Sequence, residues 1–272
     1  MTNKSSSSSI NNSDLRSIND SGLRSIDNSD LRSIDNSDLR ILLWDLDGTL
    51  VRGKRFGTFK DYTVPMLQTV FGTAGCLPEL VVSGMTDLQI VEEALRSEGI
   101  TREHISARKT QLKECYIREM KRAVGDGAHV IEAMPGAHEV LKAVDVHPRY
   151  RSALLTGNIE PAAHLKIEVA GIAQFFTLPG AFGDESFDRR DLPAKAVERI
   201  NRHLGYDLAP EQFIVIGDTP NDVACARHFG TRVIAVATGR IHSVAELRAC
   251  EPDALLPDLR DVDLFMKTLA KF

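Results

Sequence analysis

The chain has 272 residues, 43% of them hydrophobic and 26% charged, with a formal net charge of -5 at pH 7. That length holds one large domain or a core carrying a smaller insertion, the charge gives no basic footprint for nucleic acid, and no apolar run approaches the roughly 20 residues that span a bilayer. The four cysteines, Cys76, Cys115, Cys225 and Cys250, form no Cys-x-x-Cys pair and the amino terminus lacks a secretory core, so the expectation is a cytoplasmic protein in a reducing compartment, without zinc, disulfide framework, nucleic-acid partner or membrane partner.

Residues 1–39 are rich in Ser, Asn and Asp, and a unit reading Asn-Ser-Asp-Leu-Arg-Ser-Ile recurs with leucines at Leu15, Leu23, Leu31 and Leu39. A period of eight matches neither a heptad nor a solenoid unit, and one Leu and one Ile per repeat bury too little to offset ordering entropy. A disordered tail is expected, and its removal should leave turnover intact in a steady-state assay of the shortened chain.

The first strand, Ile41 to Trp44, ends in Asp45-Leu46-Asp47-Gly48-Thr49. Residues two apart on an extended segment project to one side, so Asp45 and Asp47 are expected to share a pocket beyond the strand's carboxyl end. Like charges roughly 4 Å apart repel by about 4 kcal/mol at an effective dielectric near 20. Such a pair calls for a cation, a shared proton, or an anionic substrate with a metal, and magnesium is the first choice.

Residues 52–127 read as an inserted helical cap without strand signals. Thr86-Asp87-Leu88-Gln89 opens one helix as a capping box, its apolar face of Ile90, Val91, Ala94 and Leu95 closing at Gly99. Thr101 to Val124 reads as a second helix, antiparallel to the first. Beyond it come a helix from Pro135, a strand over Ser152 to Thr156, a helix over Glu160 to Ala170 and a brief strand near Phe175. A helix over Leu192 to His203, a strand over Gln212 to Ile216, a helix from Asp222 and a strand over Thr231 to Ala237 follow. Strands alternating with helices predict an α/β fold, a doubly wound parallel sheet with right-handed crossovers. In such a sheet the turns Asp45-Leu46-Asp47-Gly48-Thr49, Thr156-Gly157-Asn158 and Gly217-Asp218-Thr219-Pro220-Asn221-Asp222 meet at one edge. Asp218 and Asp222, four apart across a strand end and a first helical turn, join Asp45 in an oxygen-rich set suited to magnesium. Thr156, Gly157 and Asn158, at the start of the Glu160 helix, make an anion site.

In this order and spacing the three turns resemble the haloacid dehalogenase superfamily, in particular its phosphatase-like members with a helical cap, such as phosphoglycolate phosphatases. The resemblance implies a Rossmann-like core over residues 40–51 and 128–272 and a cap over 52–127. It further implies a Mg2+-dependent phosphatase acting on a small phosphorylated substrate, with Asp45 as the nucleophile that becomes an aspartyl phosphate. Asp47 is then the acid and base, with a carbonyl that also reaches the metal, so the implied metal set is Asp45, Asp47, Asp218 and Asp222. Thr156, Gly157 and Asn158 would hold the phosphate. The family's cation falls to Arg189, through the pattern Arg189-x-x-Leu192, or to Lys195, with Arg190 beside them; Lys166 is read as exposed on a helix. Thr86 and Asp87 either cap their helix or touch substrate. A phosphomutase shares all these residues, and a noncatalytic metal-binding or phosphoacceptor protein is the reading from another class.

Overall fold

A computed structural model describes residues 37–55, 57 and 59–272; the repeat reading of residues 1–36 lies outside them. At its centre is a parallel sheet of β1 (Arg40–Trp44), β4 (Tyr150–Leu154), β5 (Phe213–Gly217), β6 (Arg232–Val236) and β7 (Ala254–Leu256), in the order β4-β1-β5-β6-β7. Leu43 pairs with Ala153 on one side and Val215 on the other, so β1 is interior. Its four apolar residues are fully buried, as a parallel strand covered on both faces requires. Alternate side chains serve two cores: Leu42, Trp44, Ile214 and Ile216 enter one, and Ile41, Leu43, Phe213 and Val215 the other. Helices α5 (Ala137–Asp145), α6 (Glu160–Val169), α7 (Leu192–Leu204) and α8 (Pro220–Phe229) make the crossovers. The expected doubly wound α/β architecture is therefore present.

Four helices leave the core between β2 (Val51–Gly53) and β3 (Ile131–Ala133): α1 (Lys60–Phe71), α2 (Asp87–Leu95), α3 (Arg102–Ala107) and α4 (Lys109–Gly125). The strands β2 and β3 pair antiparallel and close the neck of this segment, a ribbon too short for periodicity to reveal. The helix expected over Thr101 to Val124 is broken at Arg108, whose φ of -107° and ψ of 10° interrupt it. Its longer part, α4, packs mainly on α1 rather than on α2, with Tyr62 and Tyr116 edge to face at 5.3 Å. Phe175 lies in a 3-10 turn rather than a strand; the backbone bridge next to β4 is made later, between Leu155 and Ala181. Sequence periodicity also missed β7, α9 (Val244–Ala249) and α10 (Val262–Leu269), whose Phe265 stacks on Trp44 at 5.5 Å. No helix among the described residues is long and apolar enough to cross a membrane.

Candidate active site

Asp45 is the first residue past β1, and its amide donates to the Ile216 carbonyl of β5 at 2.9 Å. The chain then doubles back: the amides of Leu50 and Val51 both reach the Leu46 carbonyl at 2.9 Å, and Gly48 turns at a φ of 92°. That left-handed conformation favours glycine. A side chain at 48 would also strike Asp218, since an added Cβ falls 2.3 Å from its Oδ2. Asp218, just beyond β5, accepts a hydrogen bond from Thr49 Oγ1 at 2.9 Å. Asp222, in the first turn of α8, accepts from the Thr219 amide at 2.9 Å and its hydroxyl at 2.7 Å, while Thr219 caps the helix in return. One oxygen each from Asp45, Asp218 and Asp222 lies within 4.8 Å of the others, so distant chain segments converge as the doubly wound sheet requires.

All three carboxylates are buried, and Arg189 is the cation among them. Its guanidinium donates to Asp45 Oδ1 at 2.9 Å and to Asp222 Oδ1, while its buried Nε has no partner among the described residues. With all three ionised, three carboxylates against one guanidinium would leave an excess of two negative charges. Burial, then repulsion by Asp222 and Asp47, pushes Asp45 up to about 7 despite Arg189. Burial followed by repulsion from Asp45 and Asp222 raises Asp218 well above the usual carboxylate range. An all-oxygen cluster with that excess fits a hard divalent cation such as Mg2+. Asp45 Oδ2 and Asp218 Oδ2 are the cluster oxygens to which no described residue donates, so they are the most open to it. Both oxygens of Asp222 accept hydrogen bonds, from Arg189 and from Thr219, so it orients Arg189 while completing the acidic set. Gly239 closes the other side of Asp218, where an added Cβ would fall 2.1 Å from Oδ2. Gly239→Ala should therefore displace that oxygen and raise the Mg2+ concentration for half-maximal activity about tenfold, read from an activation curve.

Of the middle turn, Gly157 and Asn158 line the cavity and Thr156 does not. Thr156 is fully buried; its Oγ1 accepts from the Asn158 amide at 3.3 Å and Nδ2 at 2.8 Å. It thus holds Asn158, whose Nδ2 also reaches Asp47 Oδ2 at 2.7 Å. Gly157 accepts the Asp87 amide at 2.7 Å, and an added Cβ there would fall 2.0 Å from the Met85 carbonyl. Thr86 caps α2 through the Gln89 amide and donates to the Ser186 carbonyl at 2.9 Å. Asp87 accepts the Ile159 amide at 2.7 Å, at the start of α6. Both fasten the helical segment to the core.

Two sequence expectations are corrected, for Lys166 and Lys195. Lys166 is buried rather than on an exposed face: its Nζ donates to Asp47 Oδ2 at 2.5 Å and Asn158 Oδ1 at 2.6 Å. The available signal was its spacing of three and four residues from the buried Ala163 and Ala162, which places it on their helix face. The Asp47 carboxylate lies apart from the acidic cluster and turns to Lys166 and Asn158, so the carbonyl expected for the metal is the part of Asp47 left for that role. Burial raises the Asp47 carboxyl, but the Lys166 ammonium and its hydrogen bonds outweigh this and hold it below the usual range. Lys195 lies in a separate surface hollow with Arg190 and His228, outside the cavity that holds Arg189. Arg190 turns outward to Asp188 at 2.6 Å.

The cavity, of about 630 Å3, opens between the helical segment and the sheet edge, with Asp45, Asp47, Asn158, Lys166, Arg189 and Asp218 in its lining. A family profile described as haloacid dehalogenase-like hydrolase matches residues 42–227. A phosphoglycolate phosphatase from Nitrosococcus oceani is 26% identical over 113 residues, which are 42% of this chain and 48% of that protein, so the match spans about half the relative's length. Among solved structures, a predicted phosphoglycolate phosphatase from Haemophilus somnus aligns with a TM-score of 0.56 at 19% identity, over 84% of this chain and 98% of that one. A variant of CbbY from Rhodobacter sphaeroides, in complex with xylulose-1,5-bisphosphate, aligns with a TM-score of 0.59 at 15% identity, over 82% and 96%. These two likenesses concern the fold.

Proposed function

Because the chain belongs to the haloacid dehalogenase-like hydrolase family, we propose that it is a Mg2+-dependent phosphatase that hydrolyses a small phosphorylated metabolite through an aspartyl phosphate on Asp45. The observation that carries this reading is the convergence of Asp45, Asp218 and Asp222 within 4.8 Å beside the buried Arg189. Bound by Asp45 and Asp218, Mg2+ would screen the repulsion between the nucleophile and the phosphoryl oxygens. Asp45 attacks phosphorus and the bond to the ester oxygen breaks. Asp47 gives its proton to the departing alkoxide, then takes one from the water that attacks the aspartyl phosphate, which releases phosphate and restores Asp45. Asn158 and Lys166 line the same cavity and are positioned to meet the phosphoryl oxygens. When Lys166 turns from Asp47 to the substrate, Asp47 loses the charge that kept it ionised and can hold the proton it must donate. Lys166→Met is expected to lower kcat/KM about a hundredfold, read from initial rates. The helical segment between β2 and β3, with residues 52–127 as its bounds, serves as the cap that excludes water.

The decisive experiment supplies Mg2+ and a panel of phosphorylated metabolites, measures free phosphate, and seeks a hydroxylamine-labile phosphoryl group on Asp45. A phosphomutase would return an isomer without net phosphate, and a noncatalytic phosphoacceptor would not turn over; metal-independent hydrolysis would overturn the mechanism. The pH dependence has a definite sign. Asp45 is pushed up to about 7 by burial, so below that pH protons occupy the oxygens the cation needs. The half-activating Mg2+ concentration should rise as pH falls from 7 to 6, by about tenfold per unit for each proton displaced.

A further inference from the structure

The cavity is far larger than a phosphate and its cation require. Its roughly 630 Å3 would hold about twenty waters at the liquid's share of about 30 Å3 each. A two-carbon hydroxy acid would leave most of that space filled with solvent. The lining from the helical segment carries rings and branched chains, among them Phe59, Tyr62, Leu80, Val82 and Tyr116, beside five charged residues. Tyr62 stands at the middle of a ring cluster, 5.3 Å from Tyr116 and 5.2 Å from His129. Burial raises both phenols; burial and then Lys166 lower the imidazole, so all three rings are neutral at pH 7.

The charged groups in this part of the lining are largely engaged elsewhere. Arg55 reaches Asp61 at 3.4 Å and the Ala128 carbonyl at 2.8 Å, Lys60 donates to the Pro78 carbonyl, and Asp87 holds the Ile159 amide; Glu79 is exposed. Arg52, half-buried on β2, has no partner among the described residues. Val81 and Ile241 carry the apolar surface outward from two separate elements, 64% and 42% exposed although hydrophobic. Pockets of this size and make-up take ligands of drug-like dimensions, oriented by a few polar groups.

Resting on the phosphatase reading, we propose that the alcohol portion of the substrate is a bulky, ring-bearing, largely apolar group that fills this chamber, with Arg52 at its polar edge. The test compares naphthylethyl phosphate, ethyl phosphate and phosphoglycolate in the full chain with Mg2+. The first two share a primary alkyl leaving group, so their difference reports the chamber and not leaving-group acidity. The kcat/KM for naphthylethyl phosphate should exceed that for ethyl phosphate and for phosphoglycolate by about a hundredfold. Val82→Trp, which narrows the chamber, should cut the naphthylethyl-to-ethyl ratio at least tenfold, with circular dichroism reporting the fold. Equal or better use of phosphoglycolate would overturn the proposal and leave the phosphatase reading standing. Hydrolysis of none of the three, nor of p-nitrophenyl phosphate, would overturn both.

Discussion

Asp45→Asn is expected to lower phosphate release by about four to six orders of magnitude while leaving the metal-free protein more stable than the parent. The loss follows from the geometry: Asp45 is held to β5 through its amide and steered by Arg189, and an amide oxygen in that place is a poor nucleophile. The gain follows from the same burial. Asp45 shares a dry cluster with Asp218 and Asp222, and burial is the main cause of its upward shift to about 7. A carboxyl whose folded pKa lies above its unfolded one supports folding below the unfolded value, and that support is lost as pH rises through the folded value. Ionised at pH 8, Asp45 therefore costs the apo protein stability, whereas Asn carries no such charge and still accepts from Arg189. The variant's advantage should be small at pH 4, grow between pH 4 and 7, and reach about 4 kcal/mol at pH 8, the scale of a rise from the ordinary carboxylate value to about 7. Saturating Mg2+ should erase it. Denaturant unfolding at the two pH values measures this, and a variant keeping more than a hundredth of parental turnover would end the nucleophile assignment.

How much of this was legible beforehand depended on which physical signal each residue carries. The strands β1 and β5 announce themselves because both faces are buried, leaving unbroken apolar runs that end abruptly in Asp45 and Asp218. The parallel topology then brings those ends together, so the acidic cluster could be anticipated from chain order alone. Lys166 is misplaced by the rule that charged helix residues face solvent: its spacing from Ala162 and Ala163 marks the buried face, but its partners Asp47 and Asn158 are 119 and 8 positions away, and the contacts that hold its ammonium form only after folding. Lys195 is the converse case, a lysine at plausible spacing whose helix face turns it toward a surface hollow. The β2–β3 ribbon was hidden because its strands contain three residues each, too few for alternation to show. The break at Arg108 was hidden because its flanking residues keep helical character, and a one-residue interruption leaves no glycine or proline behind.

Arg189→Met should be the most destabilising single change at the site, and the size of the effect should depend on metal. The guanidinium is buried between Asp45 and Asp222, both themselves buried, and the fork geometry lets one nitrogen serve both carboxylates. Methionine fills comparable space but leaves three clustered carboxylates with no counter-charge. Removing one partner of a buried ion pair costs about 3–5 kcal/mol, which in a folded region of this size corresponds to a fall in Tm of about 6–15 °C. Protonation of the orphaned carboxylates lightens that cost, so the deficit should be smaller at pH 5 than at pH 8. Mg2+ is the other counter-charge available to Asp45, so saturating metal should restore part of the lost stability in Arg189→Met and add less to the parent. Activity should not return with it, because the metal cannot replace the guanidinium that steers the Asp45 carboxylate; a residual loss of about 100- to 1,000-fold in kcat is expected. Arg189→Lys keeps the charge but not the fork, and should recover more stability than turnover. Thermal unfolding with and without Mg2+ at both pH values separates the alternatives: a metal-independent loss would mean that Arg189 acts by packing, and the charge balance assigned to this cluster would then be wrong.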